Sequence, residues 1–183
     1  MLNANPIITT NPNEILKADK IILPGVGHFD KASSHLKSLK IYDTLNEAVL
    51  IKKVPVLGIC LGMQLMANES EEGTAPGLGW INTRVVKFRV QNKSKYKIPV
   101  TGWNTAEVYK ESSLMRNINS CSEFYFLHGY HFEKVEQANV IAKTTYEYEY
   151  VSVIERENIF GTQFHPEKSH EAGTQLLKNF IEL

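Results

Sequence analysis

The sequence predicts an α/β protein built on a mostly parallel, doubly wound (flavodoxin-like) sheet with an added antiparallel β region. Three observations carry this expectation. Two apolar runs, Lys20 to Leu23 and Val54 to Ile59, each end at a glycine-bearing turn and lead into helical spacing, as parallel strands and their crossover helices do. From Trp80 to Phe164, short β-rich runs follow one another with turns and no long helix between them. The chain then closes on an amphipathic helix over Ala172 to Ile181, with Leu176, Leu177, Phe180 and Ile181 on one face.

Taken in order, Ile7-Ile8-Thr9-Thr10 reads as a short β-branched strand closed by Asn11-Pro12-Asn13, with Asn13 capping a brief helix over Glu14 to Ala18. The strand Lys20 to Leu23 ends in Pro24-Gly25-Val26-Gly27. Helices are expected around Ala32 to Leu39 and from Tyr42 to Lys52, where Leu45, Ala48 and Val49 share a face. The strand Val54 to Ile59 stops at Cys60, and a helix runs on from Leu61 through Met66 to Asn68. Glu69 to Gly79 is an acidic, Gly/Pro-rich loop. Trp80 to Val90 and Thr105 to Tyr109 read as strands separated by the polar segment Gln91 to Lys97. Further strands are expected at Phe124 to Leu127, Val140 to Thr145, Tyr150 to Ile154 and Ile159 to Phe164. A doubly wound sheet usually opens on a central β-α unit, whereas this chain enters on a weak strand and Pro6. With 183 residues and no repeat or linker, one domain over residues 1–183 is expected.

Composition narrows the function classes. A net charge of zero and 43% apolar residues argue against an electrostatic nucleic-acid or membrane partner. No apolar run approaches the ~20 residues of a membrane span, and the first residues lack signal-peptide character. The two cysteines, Cys60 and Cys121, are too few for a disulfide framework, so a reducing cytoplasm is expected.

The stretch Val54-Pro-Val-Leu-Gly-Ile-Cys60-Leu-Gly-Met-Gln64 organises the rest. A strand that stops at a cysteine and turns at once into a helix, with Gly58 and Gly62 two residues to either side, is the cysteine form of a nucleophile elbow. A Cβ at either glycine would collide across so tight a turn. The helix N-terminus is expected to favour the Cys60 thiolate and, through the Leu61 N–H, to receive a developing oxyanion. The plain alternative is a buried structural cysteine.

Near the C-terminus, Gln163-Phe-His165-Pro-Glu167-Lys168 supplies an imidazole and a carboxylate astride a proline. His165 can take the thiol proton and return it to a leaving amine, and Glu167 can hold the imidazole tautomer. Alone, His-x-Glu is ordinary surface polarity; with Cys60 it makes a candidate Cys-His-Glu triad. Pro24-Gly25-Val26-Gly27 ends its strand where the elbow should lie, so Gly25 and Val26 are candidate oxyanion donors beside Leu61, against the alternative of a plain tight turn. His128 and His131 read as packed or hydrogen-bonded imidazoles. No third ligand lies at metal-site spacing, and no metal or cofactor is expected.

The motifs Pro24-Gly-Val-Gly, Gly58-Ile-Cys-Leu-Gly-Met-Gln, Gly102-Trp-Asn and Gln163-Phe-His-Pro-Glu-Lys-Ser resemble those of class I (triad) glutamine amidotransferases, from about Ile7 to the C-terminus. Within that class they are similar to glutaminase subunits of imidazole glycerol phosphate synthases. The resemblance implies that Cys60 attacks the side-chain amide of L-glutamine, releasing ammonia and leaving a glutamyl thioester for water. It implies that Gln64 and the backbone of Gly129 and Tyr130 hold the glutamine. Ammonia would pass to a (βα)8-barrel cyclase or synthase partner in a heterodimer, with Trp103, Tyr125 and Lys168 near that interface and the ammonia exit. It further implies that the Pro-Gly-Val-Gly peptide reorients when the partner is loaded. The bland readings are a core aromatic for Trp103 and a solvated charge for Lys168.

Three departures from the family pattern stand out. The family's first strand and helix have no counterpart. Met1-Leu2-Asn3 falls where the first helix ends, so a reading frame extending upstream by roughly 25 residues is expected. Without that unit the sheet would lack an interior strand. Val100 stands where the family commonly has histidine, and Gly129 where it has serine or threonine. Such changes would also suit a paralogue that supplies ammonia to a sugar amidotransferase in surface-glycan synthesis. A different class again is a non-catalytic binding subunit.

Overall fold

The structure, a computed structural model, describes residues 4–183. In chain order its strands are β1 (Ile21–Leu23), β2 (Val56–Ile59), β3 (Glu69–Ser70), β4 (Arg84–Lys87), β5 (Val100–Thr105), β6 (Glu107–Val108), β7 (Glu123–His128), β8 (Tyr130–Phe132), β9 (Val140–Tyr146), β10 (Tyr148–Arg156) and β11 (Ile159–Thr162). The helices are α1 (Pro12–Ile15), α2 (Phe29–Ser38), α3 (Tyr42–Asn46), α4 (Leu61–Gln64) and α5 (His170–Ile181). The expectation placed on Met1-Leu2-Asn3 lies outside the described residues.

The principal sheet has the order β1-β2-β11-β10-β9-β6. β1, β2 and β11 run parallel, while β10, β9 and β6 continue the sheet antiparallel, so a parallel core carries an antiparallel extension. Apolar side chains alternate across it. Val56 and Ile159 face one buried cluster with α2 and α3, through Phe29, Leu36 and Leu45. Leu57 and Phe160 face a second with α5 and β7, through Leu176, Phe180, Phe124 and Phe126. Both faces being covered explains why β2 and β11 are buried without interruption and apolar but for Thr162. α3 continues into a wider π turn over Glu47–Ile51.

Several expected elements differ. Ile7 to Thr10 forms no strand, and Ile7 and Ile8 lie exposed; β-branched residues make a strand only where a neighbour completes the ladder. Asn11, not Asn13, caps the first helix, its side chain accepting the Asn13 N–H at 3.0 Å. The helix after Cys60 ends at Gln64. Beyond it Asn68 N donates to Thr83 O at 2.9 Å and Glu69–Ser70 pairs with β4, drawing the chain into a second small sheet. Only Arg84–Lys87 of the expected Trp80 to Val90 strand is extended ladder. The run expected over Thr105 to Tyr109 divides between the end of β5 and β6. β5 itself escaped notice because Gly102 (φ +137°) and Asn104 are poor strand formers, and β8 because it is three residues long.

Candidate active site

Cys60 has φ 52° and ψ −107°, a conformation sparsely populated by L-residues and concentrated at functional turns. Its neighbours explain how the bend is packed. A Cβ on Gly58 would meet Met63 N at 2.7 Å, and one on Gly62 would overlap the carbonyl oxygen of Leu23. The same contact sets the Pro24-Gly-Val-Gly turn against the elbow, where a Cβ on Gly25 would stand 2.9 Å from both Gly62 N and the Leu61 side chain. Gly25 and Leu61 are therefore brought together, as the oxyanion assignment requires, while Val26 is largely exposed.

The parallel register does the rest. Gly58 pairs with Gly161 and Ile59 with Thr162, and Cys60 N donates to Thr162 O at 2.8 Å. Cys60 and Gln163 thus stand side by side at the carboxyl ends of adjacent parallel strands, the usual ligand edge of such a sheet. After Gln163 the chain turns through Pro166–Lys168. Ser169 Oγ braces that turn, donating to His165 O at 2.6 Å and accepting Tyr125 N at 3.0 Å. His165 is buried, and its Nδ1 lies 2.7 Å from Glu167 Oε1. A carboxylate there can only accept, so Nδ1 carries a proton, and in the neutral ring Nε2 is the nitrogen left with a lone pair. Nε2 is buried and has no hydrogen-bond partner.

The imidazole–carboxylate half of the triad is therefore assembled, while the sulfur bonds elsewhere. The Cys60 thiol donates to Leu127 O at 3.7 Å, and the Gln163 amide approaches the sulfur at 3.7 Å. Burial pushes the thiol up to about 11, the Leu61 N–H pulling it down and the Glu167 charge raising it again. This corrects the expected thiolate. A four-residue helix offers one turn of dipole, and loss of water outweighs it. The sulfur keeps its proton at neutral pH until a base removes it.

Gln64, Gly129 and Tyr130 also converge. Gln64 Nε2 donates to Tyr130 O at 3.0 Å and to Gln163 Oε1 at 3.1 Å. The Gly129–Tyr130 turn is gripped from below by His128, whose Nδ1 donates to Tyr130 O at 2.7 Å. Burial drives the His128 imidazole down to about 3, so it is neutral. His131 bonds to Phe132 O at 2.8 Å and the Tyr148 hydroxyl at 3.0 Å, the packed imidazole expected of it. His128 is likewise the hydrogen-bonded imidazole expected of it, whereas no role for Gln163 follows from the sequence. Gln163 sits inside a recognised motif, but only strand pairing shows what its amide touches. Among the described residues, no group of three or more His, Cys, Asp or Glu side chains is arranged to hold a metal.

Trp103, Tyr125 and Lys168 form one cluster. The Trp103 and Tyr125 rings meet edge to face at 5.8 Å, Lys168 Nζ lies 5.6 Å from the Tyr125 ring centre, and His170 stacks on Trp103 at 4.7 Å. Trp103 remains 43% exposed, which removes the core-aromatic reading. Thr101 and Leu127, paired across β5 and β7, extend this exposed face.

The family model described as glutamine amidotransferase class-I matches residues 3–183. The chain is 48% identical over 176 residues to imidazole glycerol phosphate synthase subunit HisH 2 of Methanococcus maripaludis, covering 96% of this chain and 86% of the relative. It is 45% identical over 183 residues to imidazole glycerol phosphate synthase subunit HisH of Leptospira interrogans, covering 100% and 90%. Among solved structures, one described as a glutamine amidotransferase superposes with a TM-score of 0.72 at 17% identity, over 95% of this chain and 83% of that one, a likeness of fold.

Proposed function

Because the chain belongs to the class-I glutamine amidotransferases, we propose that it hydrolyses L-glutamine to glutamate and ammonia as the glutaminase subunit of a heterodimeric imidazole glycerol phosphate synthase in histidine biosynthesis. The observation that carries the chemistry is the buried, unpartnered Nε2 of His165, its other nitrogen tied to Glu167, just past the end of the strand that pairs with the one leading into the Cys60 elbow. Turning the sulfur off Leu127 O toward Nε2 gives it a base. The thiol proton passes to the imidazole as sulfur attacks the amide carbon, and His165 then returns the proton to the leaving nitrogen, freeing ammonia. Backbone N–H groups at Leu61 and the Gly25–Val26 turn suit the oxyanion. His165 next activates the water that cleaves the glutamyl thioester. Gln64 and the Gly129–Tyr130 turn are the substrate-holding elements.

The exposed Trp103–Tyr125–Lys168 face is the proposed docking surface for the cyclase subunit, a (βα)8-barrel, to which ammonia passes directly. A protonated, buried thiol in the isolated chain supports gating by that partner. No helix among the described residues is long and apolar enough to cross a membrane, and the two free thiols suit a reducing cytoplasm.

The test is glutamate release with and without the ligand-loaded cyclase. Activity should be low alone and rise with partner. Cys60→Ala should abolish it while leaving partner binding and ammonium-dependent synthesis intact. Loss of both would mark Cys60 as structural, and failure of a glutamine-analogue electrophile to modify Cys60 in the complex would favour a non-catalytic subunit.

A further inference from the structure

We propose that Gln163 is a positioning residue that couples the nucleophile to the substrate loop, its amide nitrogen donating to the Cys60 sulfur while its amide oxygen fixes Gln64. This deepens the glutaminase reading and rests on Cys60 being the nucleophile.

The direction of every bond in the relay follows from one group that has no choice. The carbonyl oxygen of Tyr130 can only accept, so the Gln64 atom 3.0 Å from it must be the NH2 nitrogen. That same nitrogen lies 3.1 Å from the Gln163 side chain, which must therefore present its oxygen. The Gln163 NH2 is left to face the sulfur, 3.7 Å away. Orientation of the two amides is thus set by the network rather than free to flip.

Three features suit this relay to positioning. Gln163 is fully buried, so no water competes for its donor or acceptor. Its backbone is pinned, with Gln163 N donating to Ser152 O at 2.9 Å beside the Cys60 N to Thr162 O bond. The far end of the relay is the carbonyl of the turn proposed to hold glutamine. A donor aimed at the sulfur favours the thiolate over the thiol, in a site where burial otherwise opposes charge. Anything that orders Gln64 and Tyr130 also orders that donor.

Two variants separate the two ends. Gln163→Glu keeps an acceptor for Gln64 but replaces the donor with an anion; Gln163→Met removes both at similar volume. Alkylation of Cys60 by iodoacetamide is followed against pH on the full chain, with exposed Cys121 as internal control by peptide mass spectrometry, and glutamine kinetics are measured with the cyclase bound. In both variants the Cys60 alkylation midpoint should rise by about one pH unit, a tenfold loss of thiolate at fixed pH. Gln163→Glu should lower kcat about tenfold with KM unchanged, whereas Gln163→Met should lower kcat and raise KM. A wild-type alkylation profile in Gln163→Glu, with kcat within about twofold of wild type, overturns the inference. If Gln163→Met does not fold, as thermal melting would show, Gln163→Glu decides alone. A wild-type complex that fails to hydrolyse glutamine would instead overturn the glutaminase reading.

Discussion

The backbone N–H of His165 donates to the carbonyl of Tyr125 at 2.9 Å, joining the buried imidazole to a residue of the exposed β5–β7 face. Tyr125 N in turn donates to Ser169 Oγ, which also holds His165 O. A partner pressing on Tyr125 therefore acts on the backbone that carries the proposed base. No long relay is needed, since the proposed docking face and the proposed base share one β-bridge.

Trp103 tests that face. Its indole stacks on His170 and meets Tyr125, yet it is too exposed to anchor the core. Trp103→Ala should cost the isolated chain no more than about 1 kcal/mol by thermal or denaturant unfolding. Affinity for the cyclase subunit, measured by calorimetry, should fall by about thirtyfold, the size of an interface anchor. A large stability loss with unchanged affinity would return Trp103 to a structural role.

Glu167 should separate two consequences of one charge. It holds the Nδ1 proton of His165, and it raises the Cys60 thiol through space. Glu167→Gln should lower kcat for glutamine by about 10²–10⁴-fold, because the imidazolium loses its counter-charge. Alkylation of Cys60 at neutral pH should become slightly faster, because the thiol's pKa falls. Opposite movement of the two measurements is the signature; both falling together would point to a disrupted site.

The glycines differ in what they tolerate. Gly62→Ala would drive a methyl group into the Leu23 carbonyl, rigid backbone at the end of β1. We expect a loss of about 3 kcal/mol or more, seen as a large drop in Tm and in soluble yield. Gly129→Ala or Gly129→Ser meets only the Ile98 side chain, at an ordinary 3.7 Å. Those variants should keep stability within about 0.5 kcal/mol of the parent.

His128 makes stability depend on acid. Burial depresses it from an ordinary 6.5 to about 3, so below pH 6.5 the unfolded chain takes a proton that the folded chain refuses. Stability is full above pH 6.5 and is lost on acidification toward pH 3, by at most about 1.4 kcal/mol per pH unit for this one proton. Buried His131 adds in the same direction. Urea unfolding between pH 7 and pH 5 should show the decline. His128→Phe should flatten it by about one proton's share even if the variant is less stable overall. An unchanged slope would show that His128 is hydrated or charged in the folded chain.

What could be read without coordinates was local. Gly58 and Gly62 around Cys60 spell out the elbow because the collision they avoid occurs within one turn. His165 and Glu167 are legible as a pair because a single proline separates them, and α5 because its apolar spacing repeats over three turns. What escaped notice depended on neighbours. Ile7 and Ile8 have strand propensity but no ladder partner, and Val100–Thr105, interrupted by Gly102 and Asn104, is held as a strand by β7 beside it.

By itself the amino-acid order determined the type of chemistry: a sulfur on a strained bend, an imidazole with its carboxylate, and glycines where chain passes close to chain. Tertiary structure decided the state of that chemistry. Burial rather than the helix end sets the proton on Cys60, and the β2–β11 register puts the Gln163 amide against its sulfur. Solvent exclusion and strand register are properties of segments some hundred residues apart, so no local pattern could have carried them.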